Sequence, residues 1–295
     1  MTNDHLSEAT RVFLDNLGSD PNHEARIINI KEDKWVSHTF SELLLTGVHD
    51  LIISPRVLRP QGMLVSGESQ FGKSSFIERI KTLYKDTENS KLQKIRRVVA
   101  FEMPGDPNIV RFLNCLLTQG LGKPEFITRN TDSLLRHVLF ELQDSGVEMI
   151  LIDEIQHIGN CQPRQLAVLL STLKSLVNRT KLPIVAFGIG DAAEILSKDE
   201  QLYSRFLRVD LPEWTPGNEL KCLLATYETI LPLKKPSNLI DDEMHYAIHG
   251  RTNGSIGEIT RLLQEAAILA IRSGDEFISI DLIKTMPFQS CRAAA

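Results

Sequence analysis

The chain has 295 residues, 42% of them hydrophobic and 24% charged, with a formal net charge of −5. That is an ordinary globular composition, large enough for one main domain and a smaller one. The acidic balance excludes a protein that is basic throughout, so any nucleic-acid contact has to use a local patch.

Residues 1–24 are polar, broken at Gly18-Ser19-Asp20-Pro21-Asn22, with helical spacing at Val12, Phe13 and Leu17. The acidic, polar start is unlike a signal peptide. Residues 25–61 bring Ile27, Ile28, Ile30 and Trp35, a helical stretch from Phe40 to Leu51, and two prolines, Pro55 and Pro60, which mark a non-helical approach to the first strand. Ile30 to Trp35 is a candidate cover for a bound base, and Trp35 serves equally as a core anchor.

The stretch around which the chain is organised comes next: Gly67-Glu68-Ser69-Gln70-Phe71-Gly72-Lys73-Ser74, followed by Ser75. It lies between the apolar run Met63-Leu64-Val65 and a helical pattern through Phe76, Ile77, Ile80 and Leu83. Strand, glycine loop and helix in that order make a phosphate-binding loop. Gly67 and Gly72 let successive N–H groups face one phosphate chain, and the helix N-terminus adds its positive end. Lys73 is placed for the β- and γ-phosphates of ATP and the Ser74 hydroxyl for Mg²⁺.

Lys81 to Arg97 is the most basic stretch, either a solvated helix end or a phosphate-contacting patch. A second strand is expected at Arg97 to Phe101. Residues 106–145 predict two helices joined near Gly120 to Pro124. Lys123, Thr128, Arg129, Thr131 and Arg136 gather at that joint, small polar and basic groups suited to DNA backbone contact. Thr131 also suits a helix N-cap.

About 80 residues after Lys73, the apolar run Val147 to Ile152 ends in Asp153-Glu154. A continuous apolar run suits a strand buried on both faces. Asp153 at its end can support Mg²⁺, and Glu154 can take a proton from an attacking water. Asp-Glu-Ile-Gln-His lacks the first histidine of a zinc-protease motif, so His157 is structural or near the γ-phosphate. Gln162 to Asn178 is an amphipathic helix. A fourth strand, Leu182 to Gly188, ends at Ile189-Gly190-Asp191. Arg205 stands just before a fifth strand, Leu207 to Leu211, either in a local ion pair or reaching a neighbouring subunit's γ-phosphate.

From Pro212 the pattern is helical: Gly217–Ile230, Asp241–His249, Gly257–Ser273 and Ile280–Met286. The expected division is a polar segment 1–24, a core 25–212, a helical domain 213–290 and a tail 291–295. No apolar run approaches the roughly 18 residues of a membrane span. The scattered cysteines Cys115, Cys161, Cys222 and Cys291 form no C-x-x-C pair, which fits a reducing cytoplasm.

Strands alternating with helices, these two motifs, an arginine before the fifth strand and a helical lid resemble an AAA+ ATPase. Asp33-Lys34-Trp35-Val36, Ser54-Pro55-Arg56, Leu211-Pro212-Glu213-Trp214, Leu231-Pro232-Leu233-Lys234-Lys235-Pro236-Ser237 and Gly254-Ser255-Ile256-Gly257-Glu258-Ile259 are similar to the TniB family, related to TnsC and more distantly to MuB. The resemblance spans residues 26–285. It implies a five-stranded parallel sheet flanked by helices with a C-terminal helical lid, ATP and Mg²⁺ as cofactors, and homo-oligomeric rings or filaments of six to seven subunits per turn on double-stranded DNA. It also implies recruitment of a DDE transposase, a target-selection protein such as a CRISPR-associated adaptor, and disassembly on hydrolysis. Carried over by position, Lys73, Asp153, Glu154 and Arg205 are the catalytic set, Gly67 to Ser75 the cofactor loop, and Ser74 and Asp153 the metal ligands. Two departures stand out. Ile189 replaces the threonine often found after the fourth strand, leaving Asp191 as a substitute, and Glu258 replaces a basic residue, leaving Arg251 or Arg261. Both point to slow hydrolysis. Outside this family, the alternatives are a replication-initiator or helicase-loader ATPase and a nucleotide-switch adaptor without DNA.

Overall fold

Five consecutive residues with no exposed side chain, Gly62–Ser66, form the strand that leads into the glycine loop. The structure, a computed structural model, describes residues 21–56, 61–88, 94–128 and 130–290. The expected helix around Val12 and Leu17, the tail 291–295 and Arg129 lie outside the described residues.

In chain order, helices α1 (Pro21–Lys31) and α2 (Thr39–Ile53) precede β1 (Gly62–Ser66) and α3 (Lys73–Leu83). A small antiparallel ladder, β2 (Thr87–Glu88) with β3 (Lys94–Ile95), interrupts the basic stretch. Strand β4 (Val98–Glu102) leads to α4 (Ile109–Cys115), which continues as a π turn over Leu116–Gly120, and then to α5 (Thr131–Asp144). Strand β5 (Met149–Asp153) ends in a 3-10 turn, Ile155–Asn160, before α6 (Pro163–Thr180) and β6 (Ile184–Gly188). Short helices α7 (Ala192–Ser197) and α8 (Glu200–Tyr203) lead to β7 (Phe206–Asp210). Helices α9 (Asn218–Ile230), α10 (Asp242–Thr252), α11 (Ile256–Ser273) and α12 (Ile280–Thr285) follow.

Strands β4-β5-β6-β1-β7, in that order, make one all-parallel sheet. This is the expected five-stranded sheet flanked by helices. Strands β1 and β6 are buried at every position, as a parallel strand covered on both faces requires. Strand β7 is an edge, with Leu207 62% exposed. Because all five strands are parallel, their C-terminal ends open on one side of the sheet, where ligands of such folds bind.

The chain divides into two compact units. One, residues 42–212, is built on the sheet. The other joins residues 21–41 to residues 213–290. The sequence grouped 25–41 with the core; in the structure these residues pack with the C-terminal helices instead. Ile30 and Val36 enter the same apolar core as Leu220, Ile259 and Leu263. Gln264 donates through Nε2 to the Ile30 carbonyl at 2.7 Å. Arg26 donates to Glu276 Oε1 and to the Pro232 carbonyl, each at 2.9 Å. Ile30, a candidate for covering a bound base, is therefore a core residue of the helical unit.

The stretch Leu231 to Ser237 has a local structural explanation. Glu228 accepts the backbone N–H groups of Ser237, Asn238 and Leu239 at 2.6, 2.8 and 2.8 Å, and the Ser237 hydroxyl accepts that of Ile278 at 2.9 Å. Two prolines leave this loop short of donors, and Glu228 takes up the N–H groups where it ends.

Candidate functional site

The glycine loop follows β1 at the C-terminal edge of the sheet. The Gly67 N–H donates to the Gly188 carbonyl at 3.0 Å, and the Leu211 N–H donates to the Ser66 carbonyl at 2.7 Å, so the ends of β6 and β7 hold the loop's first residue. A side chain at position 67 would lie 2.9 Å from Leu211. Gly72 adopts φ 87° as the N-cap of α3, a left-handed conformation that glycine enters without penalty. Phe71 is buried and anchors the tip, while Glu68, Ser69 and Gln70 are exposed. Ser74 and Ser75, in the first turn of α3, are exposed as well.

Lys73 is buried and donates through Nζ to the carbonyls of Gly67 at 2.5 Å and Glu68 at 2.8 Å. Burial pushes its pKa below the usual lysine value, opposed by the negative charges of Glu154, Asp153 and Glu68. Burial likewise raises the Asp153 carboxyl, which the Glu154 N–H, donating to Oδ1 at 2.9 Å, partly offsets together with the Lys73 charge. The two motifs, 80 residues apart in sequence, thus share one electrostatic site.

Glu154 lies in the left-handed region, φ 51° and ψ 40°, with a non-glycine side chain. Such a conformation costs on the order of 1 kcal/mol and is held by its surroundings. Asp153 is anchored through its backbone, whose carbonyl accepts the Met103 N–H at 2.9 Å. His157 bonds the Met103 carbonyl through Nδ1 at 3.1 Å and ties the 3-10 turn to the end of β4, a structural role.

Arg205 is not brought to this cluster. It precedes β7 at the N-terminal edge of the sheet. Its guanidinium donates to Asn178 Oδ1 at 2.7 Å, near the end of α6. The length of β1, about 16 Å at 3.3 Å per residue, separates that edge from the glycine loop.

The DNA-contact candidates are dispersed in role. Lys123 is ion-paired with Glu141 at 2.7 Å. The Thr128 hydroxyl accepts the Asn130 N–H at 3.0 Å. Arg136 is exposed and donates to Ser133 Oγ at 3.2 Å. Thr131 is not the N-cap of α5: Asn130 takes that place, accepting the Ser133 N–H at 3.0 Å. Asparagine caps at least as well as threonine, so the neighbour one residue earlier wins.

Arg251 and Arg261, the candidates to replace a basic residue at Glu258, are committed elsewhere. Arg251 donates to the carbonyls of Ile283, Lys284, Met286 and Phe288 at 2.9, 3.0, 2.9 and 3.1 Å. Arg261 donates to the Gln289 carbonyl at 2.6 Å and to the fully buried Glu258 at 3.1 Å, and its guanidinium lies 4.4 Å from the Phe288 ring centre. Both arginines fasten the end of α12 and the segment after it to α10 and α11.

Sequence reading missed Gln156. It is 7% exposed. Its Nε2 donates to Glu154 Oε2, and its Oε1 accepts the Ile189 N–H at 3.3 Å. The sequence marks it only as a glutamine two residues past an acidic pair.

Magnesium fits the donor chemistry: Ser74 and Asp153 would offer it hard oxygen ligands, and this ion binds through one or two protein oxygens plus substrate phosphates. No helix among the described residues is long and apolar enough to cross a membrane.

A family model described as "Bacterial TniB protein" matches residues 26–216. No curated protein sequence matches the chain. Among solved structures, the ORC2 protein of Aeropyrum pernix, in ADPNP and ADP complexes, aligns with a TM-score of 0.61 at 16% identity, over 87% of this chain and 70% of that one. The ORC1 protein of the same organism, in complex with DNA, aligns at 0.54 and 16%, over 94% and 69%. The Walker-type ATPase PABY2304 of Pyrococcus abyssi aligns at 0.54 and 18%, over 83% and 70%. At these identities the likeness establishes the fold alone.

Proposed function

The chain belongs to the TniB family, and from that premise we propose that it hydrolyses ATP and uses the cycle to control its assembly on double-stranded target DNA. The observation that carries the ATPase part is the meeting of Lys73, Asp153 and Glu154 at the C-terminal edge of the sheet. The loop N–H groups and Lys73 bind the β- and γ-phosphates. Ser74 and Asp153 would hold Mg²⁺, which would supply neutralisation of phosphate charge. Glu154 accepts a proton from water as the water oxygen bonds to the γ-phosphorus. The bond from that phosphorus to the β–γ bridging oxygen breaks, and ADP leaves with the electron pair. Arg205, too far along the sheet to serve its own site, acts on the neighbour in a ring or filament of six to seven subunits per turn.

The partners in this reading are duplex DNA, contacted near Lys123, Thr128, Arg129, Thr131 and Arg136, a DDE transposase, and a target-selection protein such as a CRISPR-associated adaptor. Lys123 reaches DNA only by giving up Glu141, so Arg136 is the better first contact to test. A replication-initiator or loader role is the second reading, favoured by the fold shared with the DNA-bound ORC1 protein.

Electron microscopy of the protein with duplex DNA and a slowly hydrolysed ATP analogue tests the proposal. Rings or filaments that need both nucleotide and DNA support it. Particles indifferent to DNA overturn it and leave a nucleotide switch. Stimulation of a transposase of the same element, and not of helicase loading, separates the two DNA readings. Turnover is expected below about 10 s⁻¹, the enzyme median.

A further inference from the structure

We propose that Gln156 is the positioning residue that sets the carboxylate of Glu154 for hydrolysis and links it to the end of β6. The inference rests on the ATPase reading above and adds a residue to it.

Three observations converge. First, the amide has one orientation that satisfies both neighbours. A carboxylate only accepts and a backbone N–H only donates. So Nε2 must face Glu154 Oε2 and Oε1 must face the Ile189 N–H, as found. Second, the amide is packed in place. A Cβ on Gly188 would sit 2.8 Å from Gln156 Oε1, so the bare backbone at the end of β6 is what makes room for the amide. Third, Glu154 occupies a left-handed backbone conformation that its own side chain does not favour. With Oε2 engaged by the amide, the carboxylate is held in one rotamer and Oε1 is the oxygen that can accept a water proton.

The arrangement also answers the departure at Ile189. The side chain there is apolar, but the backbone N–H at the same place is polar, and Gln156 carries its position to Glu154. A shift at the end of β6, which also holds the glycine loop through the Gly188 carbonyl, is thereby transmitted to the general base.

The test compares steady-state ATP hydrolysis of the full chain with that of Gln156→Met and Gln156→Glu. Methionine keeps the buried volume and removes both hydrogen bonds. Glutamate keeps an acceptor for Ile189 and sets a second carboxylate against Glu154. Removing a partner that orients a metal-ligating side chain costs about 10–100-fold, and the same scale is expected for the partner of Glu154. Both variants are expected to lose at least about tenfold in kcat, with KM for ATP within about twofold. A kcat for Gln156→Met within about twofold of wild type overturns the inference, as does a loss confined to KM. Should Gln156→Met fail to fold, Gln156→Glu with wild-type kcat overturns it equally. Lys73→Ala and Glu154→Gln run alongside separate the two claims. If they abolish turnover while Gln156→Met does not, only Gln156 loses its role. If the wild type itself neither binds nor hydrolyses ATP, the ATPase reading fails and the inference with it.

Discussion

The carbonyl of Arg205 accepts the Gly62 N–H at 2.9 Å, fixing the arginine at the edge of the sheet opposite Lys73. On the proposed reading, an arginine so placed acts across a subunit boundary. Arg205→Ala is expected to lower turnover at least about tenfold while leaving ATP affinity within about threefold, since arginines supplied in trans are worth about 10³ or more. Mixing it with Lys73→Ala should restore part of the activity, because each Lys73→Ala subunit still offers Arg205 to an intact site. No recovery in the mixture would reduce Arg205 to its bond with Asn178.

Lys73 and Glu154 should separate binding from chemistry. Lys73→Ala is expected to abolish binding of a fluorescent ATP analogue. Glu154→Gln keeps the side-chain volume but cannot take the proton, so it should bind the analogue and turn over at least about a hundredfold more slowly. An active Glu154→Gln would move the general base elsewhere.

Stability of the helical unit should depend on acid through Glu276. The Arg26 guanidinium hydrogen-bonds its carboxylate and holds its pKa at about 2, against the ordinary 4.5. The depressed value means the stabilisation is full above pH 4.5 and is lost as pH falls toward about 2. Allowing for solvent screening, the pair is worth on the order of 2 kcal/mol at neutral pH. Arg26→Ala should remove that amount and flatten the pH dependence in this window. Both tryptophans, Trp35 and Trp214, belong to this unit, so their fluorescence during urea unfolding reports on it selectively.

Arg251 should matter more than its surface position suggests. Its four carbonyl partners lose their donor in Arg251→Ala, and hydrogen bonds to charged groups are worth about 1.5–3 kcal/mol. A loss of about 2–3 kcal/mol in the same fluorescence assay is expected. Arg111→Ala, which breaks an exposed pair with Asp106, should change stability by less than about 1 kcal/mol.

Much of this was legible in the sequence where local pattern and chemistry coincide. The apolar runs ending at Ser66 and Asp153 became buried parallel strands, and the spacing of Leu166, Leu169, Leu170 and Leu173 became the inner face of α6. What stayed hidden depends on partners far along the chain. Nothing in the string around Ile30 announces Gln264 as its partner, and nothing around Arg251 announces the carbonyls of Ile283 to Phe288. Gln156 gives no periodic signal; its meaning comes from Gly188, a glycine required by the absence of space rather than by a turn. Asn130 against Thr131 is a contest between two good caps, decided by where the loop enters the helix.

The helical unit takes residues from before and after the sheet unit in sequence, and Arg26 meets Glu276 across 250 positions. Synthesis runs from the N-terminus, so α1 emerges long before any helix it can pack on. The sheet unit has all of its strands once residue 210 is made, whereas α1 must wait for α9 to α12. At translation rates of about 5–20 residues per second, that interval lasts several seconds, during which Ile27 and Ile30 have no core to enter. The nascent chain therefore completes its sheet unit first, with the segment ahead of it left without its packing partners until the last helices arrive.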